Sequence, residues 1–170
     1  MESIQEIKER FKNTPMQELP AFCEIYRADE RKGVQKLVEQ GHKRIQALEQ
    51  EKERLKQMRE FEREYEHLGY ICGIDEVGRG PFAGPVVAGA VILPPDCEIL
   101  YVNDSKQLSE KMREQLYDEI MEKAVSVAVG YASPQRIDEI NILQATYEAM
   151  REAVSKLDVT PQILLNDAVT

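Results

Sequence analysis

The stretch YICGIDEVGRGPFAGPVVAGAVILPP, residues 70–95, constrains the fold more than any other part of the chain. It holds two short apolar runs, separated by a glycine-rich segment and stopped by two prolines. Runs of this length and composition predict β-strands, the first over YICGIDEV and the second over GPVVAGAVILPP. Because the first run is nearly all apolar, it predicts a strand that is buried on both faces.

Helical and extended patterns alternate beyond these strands. Ser109 is placed to cap a helix over SEKMREQLYDEIMEKA, and VSVAVGYA predicts a third strand. The Ser133–Pro134 pair predicts a helix start, and a longer helix follows with an apolar row over 142–157. The run QILLNDAVT contains a fourth strand. This alternation predicts an α/β domain.

Residues 1–68 predict a small all-helical module, so we place a domain boundary between residues 68 and 69. Ile4, Ile7 and Phe11 predict a short first helix, and NTPMQELPAF predicts a turn with two prolines. Residues 33–68 predict one long amphipathic helix. The amphipathic pattern of residues 33–68 fits a solvated helix that packs one apolar stripe against the protein. It also fits a helix that binds a helical partner or a nucleic acid. The pattern leaves these alternatives open.

The distribution of charge indicates which kinds of partner the chain can bind. The net charge is −9, and residues 71–170 carry 8 Lys+Arg against 16 Asp+Glu. An acidic domain repels phosphates unless its carboxylates hold cations. The chain contains no apolar run long enough for a membrane span and no signal-peptide pattern, and its three cysteines form no CxxC pair. We therefore expect a soluble cytoplasmic protein without disulfides or zinc.

Asp75 and Glu76 are the first candidate site residues. Strand-end acids of an α/β sheet can share Mg²⁺ or Mn²⁺, and two such ions about 4 Å apart support phosphodiester cleavage. Successive strand residues point to opposite faces, so the two acids converge only if the strand kinks or ends between them. The alternative is a turn in which they pair with Arg79. Asp167, at the end of ILLND, holds a similar position.

Two further polar segments carry weaker signals. The loop VGRGPFAGP could approach a phosphate or a sugar, but it lacks the GK[ST] of a Walker loop, which disfavours a small nucleotide-binding protein. Ser105 and Lys106 precede a helix, where a phosphate could bind, although from the sequence alone a loop and a cap explain them better.

Four blocks in this order resemble bacterial ribonuclease HII: GIDEVGRGPFAGPVVAGAVIL, NDSKQLSEKMRE, IDEINILQATYEAM and LLNDAVT. The helical extension is similar to that of Bacillus-type members. The resemblance implies a ribonuclease H-like mixed sheet with flanking helices, and a monomeric enzyme. Its substrates would be RNA–DNA hybrids and DNA duplexes with an embedded ribonucleotide, and its cofactor Mg²⁺ or Mn²⁺.

The resemblance also implies roles for individual residues. Asp75, Glu76 and Asp167 would be catalytic metal ligands. Gly78, Arg79 and Gly80 would sense the ribose 2′-hydroxyl, and Ser105 and Lys106 would lie near the substrate backbone.

Family members continue past the strand that ends in Asp167 and supply a fourth acid there. The resemblance therefore implies a truncated chain with an incomplete sheet, weak or absent activity and a tendency to self-associate. The alternative hypothesis is a nucleic-acid-binding or helical interaction module without catalysis.

Overall fold

The computed structural model describes residues 2–80 and 84–166. The chain divides into two compact units, Met1–Met58 and Arg59–Thr170. Every helix within the described ranges is too short or too polar to cross a bilayer.

The first unit is built from three helices around a small apolar core. They are α1 (Ile4–Asn13), α2 (Leu19–Ile25) and α3 (Lys32–Met58), with a 3₁₀ turn at Met16–Glu18. Ser3 begins α1 with a capping box, because its hydroxyl accepts from the Glu6 amide while the Glu6 carboxylate accepts from the Ser3 amide. The core consists of Ile7, Phe11, Leu19, Phe22, Cys23, Tyr26, Val34, Leu37 and Val38.

Two sequence predictions in the N-terminal region were wrong. Part of the predicted turn NTPMQELPAF forms the start of α2, because Pro20 lies in the first helical turn, where a missing amide costs nothing. The predicted long helix ends at Met58, and α4 (Glu60–Tyr65) and a 3₁₀ turn (Glu66–Leu68) follow. None of the residues of α4 is buried, so its apolar side chains gain no packing that would continue the helix.

Between residues 69 and 166, leaving out 81–83, the second unit contains four strands and three helices. They are β1 (Ile71–Val77), β2 (Val86–Ile92), α5 (Glu110–Lys123), β3 (Ser126–Ala132), α6 (Pro134–Ile140), α7 (Ile142–Ser155) and β4 (Ile163–Asn166). Ser109 caps α5 and Ser133 caps α6, as predicted. Asn141 separates α6 from α7 with a φ of 72° and caps α7 through its side chain.

The strands form one mixed sheet in the order β3-β2-β1-β4. β1 pairs with β2 and β2 with β3 in antiparallel fashion, while β4 runs parallel to β1. α7 packs against β2 and β3 and also touches β1. The predicted α/β class and mixed sheet are confirmed.

The sheet is buried mainly on the side that α7 covers. On β1, Cys72 and Ile74 are buried, whereas Gly73 and Asp75 are exposed and Val77 is 68% exposed. The prediction that β1 is buried on both faces was therefore wrong for the described residues, because helix packing covers one face only. We call the side that carries Asp75 and Val77 the open face.

Gly130 on β3 lets α7 approach the sheet closely. A Cβ at this position would overlap the Ala149 carbonyl oxygen and crowd the Ala153 amide nitrogen. Alanines on both surfaces keep the distance between α7 and the sheet short along the rest of the contact. They include Ala88, Ala90, Ala145, Ala149 and Ala153. This contact fixes which side of the sheet stays open.

We predict that Gly130→Ala destabilises the protein by about 1–3 kcal/mol, because the methyl group forces the α7 backbone away from β3. Gly89→Ala on β2 is the matched control, since no described atom lies within 4 Å of its added Cβ. Its effect should stay within about 0.5 kcal/mol. Urea unfolding of both variants measures the difference, and equal free energies of unfolding would contradict the close contact.

Candidate functional site

The pairing of β1 with β2 determines where the two adjacent acids point. Asp75 pairs with Gly89, Glu76 with Ala88 and Val77 with Val87, without a bulge. Because side chains alternate along a strand, Asp75 lies on the open face and Glu76 on the α7 side. The kink that would let both carboxylates converge is absent between these residues.

The chain turns immediately after β1, at Gly78. This glycine has a φ of 102°, and a Cβ here would overlap the Pro85 carbonyl oxygen. Both the backbone angle and the close approach to the start of β2 therefore require glycine. Gly80 differs, because it has no positive φ and no described atom lies within 4 Å of its added Cβ.

The turn at Gly78 brings Arg79 back towards the strand. Arg79 Nη1 lies 3.3 Å from Glu76 Oε1, and the two side chains are 28% and 16% exposed. Asp75 takes no part in this ion pair; its Oδ1 accepts a 2.8 Å hydrogen bond from the Glu76 amide. The sequence left open a turn in which the two acids pair with Arg79. That arrangement is found for Glu76 only, and the Asp75 carboxylate remains exposed.

The donors at this end of the sheet suit a hard divalent cation. Asp75 offers an exposed carboxylate, and Glu76 a second one that is engaged by Arg79. Burial raises the pKa of the Cys72 thiol, which lies on the α7 side and stays protonated. The softest ligand near the site is therefore unavailable, and hard oxygen atoms remain.

The third predicted ligand, Asp167, lies outside the described residues. Across residues 2–80 and 84–166, no group of three or more His, Cys, Asp and Glu side chains could hold a metal. Ile74 of β1 and Asn166 of β4 are register partners in the parallel pair. Asp75 and Asp167 are the residues that follow these two partners in the sequence. The assignment of Asp75, Glu76 and Asp167 to one metal site stays a prediction.

Ser105 and Lys106 lie in a 3₁₀ turn, Ser105–Gln107, and both are exposed. Asp104 caps this turn by accepting a 2.9 Å hydrogen bond from the Lys106 amide. The structure assigns neither residue a hydrogen bond or ion pair to Asp75 or Glu76 within the described ranges. Their role at the substrate backbone also stays a prediction.

Sequence reasoning missed Arg113, which holds this turn in place. Its Nη1 donates to the Leu108 carbonyl at 2.7 Å and to the Ser105 carbonyl at 3.3 Å. Because the acceptors are backbone atoms, no pattern of residue types reveals the contact. The available signal was an arginine in the first turns of the helix that Ser109 caps.

Comparison of the sequence with family models shows which family the chain belongs to. A family model described as "Ribonuclease HII N-terminal domain" matches residues 3–66, and one described as "Ribonuclease HII" matches residues 72–170. The chain belongs to the ribonuclease HII family. The resemblance of the four sequence blocks is thereby confirmed.

Two curated ribonucleases HII illustrate the similarity. The Lachnoclostridium phytofermentans protein is 66% identical over 145 residues, covering 85% of this chain and 57% of that protein. The Bacillus cereus protein is 50% identical over 169 residues, covering 98% of this chain and 65% of that protein. The chain therefore spans less than two thirds of the length of these relatives.

A solved structure supports the fold assignment. The crystal structure of ribonuclease H2 from Pyrococcus horikoshii matches with a TM-score of 0.50 and 28% identity, over 59% of this chain and 50% of that chain. The sheet unit of this ribonuclease HII family member has a ribonuclease H-like fold.

We predict that Gly78→Ala destabilises the protein by about 1–3 kcal/mol, because alanine is strained at this positive φ and its methyl group meets the Pro85 carbonyl. Gly80→Ala provides the matched control and should change stability by no more than about 0.5 kcal/mol. Thermal unfolding measures both variants. Equal losses would show that the two glycines of the loop have the same structural role.

Proposed function

We propose that this protein is a metal-dependent endonuclease that cleaves the RNA strand of RNA–DNA hybrids and cleaves DNA at embedded ribonucleotides. The observation that carries the proposal is the exposed Asp75 carboxylate on the open face of β1, followed at once by the Gly78 turn. Membership of the ribonuclease HII family supports the substrate class.

In this proposal, Asp75, Glu76 and Asp167 hold Mg²⁺ or Mn²⁺. The bound cation would polarise the scissile phosphate and lower the pKa of a water molecule. Asp75 presents an exposed carboxylate with no ion pair among the described residues, so its side chain can bind the cation without rearrangement. Glu76 reaches the same cation only if its ion pair with Arg79 opens and the end of β1 turns its side chain from the α7 side towards the open face.

The remaining site residues position the nucleic acid. The glycines on either side of Arg79 let the backbone approach a ribose closely, which recognition of so small a group as the 2′-hydroxyl requires. The Arg79 guanidinium, once released from Glu76, donates charge-assisted hydrogen bonds to the substrate. Ser105 and Lys106 contact a phosphate from the exposed 3₁₀ turn.

The organisation of the protein forms part of the same proposal. Residues 1–68 act as a helical extension and residues 69–170 belong to the catalytic domain, in line with the family models over 3–66 and 72–170. We propose that the intact enzyme is a monomer that works in the cytoplasm on nucleic acid.

Replacement of Asp75 tests the proposal. With the protein in molar excess over a duplex that holds one ribonucleotide, and with Mn²⁺ present, Asp75→Asn should lower the cleavage rate at least about 100-fold, because a ligand is lost. Asp138→Asn is the matched control, since Asp138 is an exposed acid on α6. Its cleavage rate should be unchanged.

A second measurement does not depend on turnover. Electron paramagnetic resonance of free Mn²⁺ should show that Asp75→Asn weakens Mn²⁺ binding at least about 10-fold, while Asp138→Asn leaves the affinity unchanged. Equal Mn²⁺ affinity in all three proteins, or cleavage that survives in Asp75→Asn, would contradict the assignment.

A further inference from the structure

The first unit carries an open groove between α1 and α3, with a volume of about 580 Å³. Three cationic side chains line it, Lys8 and Lys12 from α1 and Arg44 from α3. We call this surface the basic groove. Glu9 is the one acid in the lining, and its Oε1 accepts a 3.4 Å hydrogen bond from Gln5 Nε2.

The cations of the basic groove are available to a ligand. Lys8, Lys12 and Arg44 form no ion pair with any acid in the described part of the chain. Some other cations of the same unit are paired: Arg10 Nη1 lies 3.5 Å from a Glu2 carboxylate oxygen, and Lys43 Nζ lies 2.7 Å from Glu39 Oε1. Lys32, Lys36 and Lys52 also form no ion pair among the described residues, so the groove is distinguished by holding three such cations together.

The geometry of the groove suits an extended polyanion. Lys8 and Lys12 are four residues apart on one helix face, so they form a row with a rise of about 6 Å. Across the groove, the Arg44 guanidinium carbon lies 5.6 Å from the centre of the Phe11 ring, and this contact orients the arginine. A row of cations with a fixed guanidinium opposite can contact several phosphates of one strand.

The lining disfavours a small apolar ligand. The groove has the size of a small-molecule pocket, but such pockets are mostly apolar. Long charged and amide side chains dominate here, with Gln40 adding to the three cations. A surface of this kind binds a charged backbone better than it encloses a hydrophobic molecule.

We propose that the basic groove binds the sugar–phosphate backbone of the nucleic-acid substrate, without reading its sequence. This inference rests on the proposed function, because a duplex substrate defines the partner. Residues 71–170 carry 8 Lys+Arg against 16 Asp+Glu, so attraction to phosphates needs a source elsewhere in the chain. Lys8, Lys12 and Arg44 supply it.

The test uses the whole 170-residue chain with Lys8→Gln, Lys12→Gln and Arg44→Gln combined. Fluorescence anisotropy with a labelled RNA–DNA hybrid, in EDTA to prevent cleavage, measures affinity over a range of salt concentrations. We expect at least a 10-fold loss of affinity at low salt. The slope of log affinity against log salt should fall by about 2–3, because each lost phosphate contact removes about 0.9.

The matched control combines Lys32→Gln, Lys52→Gln and Lys56→Gln, which removes the same charge from exposed parts of α3 outside the groove. Its affinity should change less than about threefold, and circular dichroism should show that both variants keep their helix content. Equal losses in the two variants, or no loss in the groove variant, would overturn the proposal. Competition by poly-glutamate as effective as that of unlabelled hybrid would assign the groove to acidic proteins instead.

The Asp75 experiments separate this inference from the proposed function. If the groove variant binds the hybrid normally while Asp75→Asn abolishes Mn²⁺ binding and cleavage, the groove is not the binding surface and the proposed function stands. If Asp75→Asn has no effect while the groove variant loses affinity, the chain binds nucleic acid through the groove and the proposed catalytic site is wrong.

Discussion

The close contact between α7 and one face of the sheet is the constraint on which the candidate site depends. Gly130 admits the α7 backbone at a distance that no side chain would allow. Small residues on both surfaces spread this contact over β2 and β3. Cys72 and Ile74 are buried as a result, and the alternation of β1 then places Asp75 on the opposite, open face. The position of one carboxylate thus follows from helix packing on the other side of the sheet.

The same alternation separates the roles of two adjacent acids. Asp75 is presented to solvent without a cationic partner in its described contacts, whereas Glu76 is tied to Arg79 behind a turn that only glycine can make. The excess of negative charge is also unevenly distributed, because residues 71–170 carry 8 Lys+Arg against 16 Asp+Glu. Carboxylates dominate the sheet unit, and the cations of the basic groove belong to the helical unit. The proposed binding of a polyanion by a chain with a net charge of −9 depends on this uneven distribution.

Local patterns were sufficient to predict the strands, the capping serines and the α/β class, because each depends on residues close together in the sequence. The mixed sheet followed only from the resemblance to ribonuclease HII. Contacts between distant residues decided the rest. The one-sided burial of β1 depends on where α7 packs, and the end of the long helix near Arg59 depends on the absence of packing beyond it. Pro20 was interpreted as a turn residue but occupies a first helical turn. The pairing of Glu76 with Arg79 was foreseeable from their spacing, whereas the Arg113 clamp on backbone carbonyls was not.

Paramagnetic broadening by Mn²⁺ tests most directly whether the open face of β1 holds the cation. In a titration of the ¹⁵N-labelled chain, the amide signals of Glu76 and of Gly89, the register partner of Asp75, should disappear first, together with that of Asn166 at the end of β4. Early loss of the amide signals of the acidic helix α5, with those of Glu76 and Gly89 still sharp, would contradict the account.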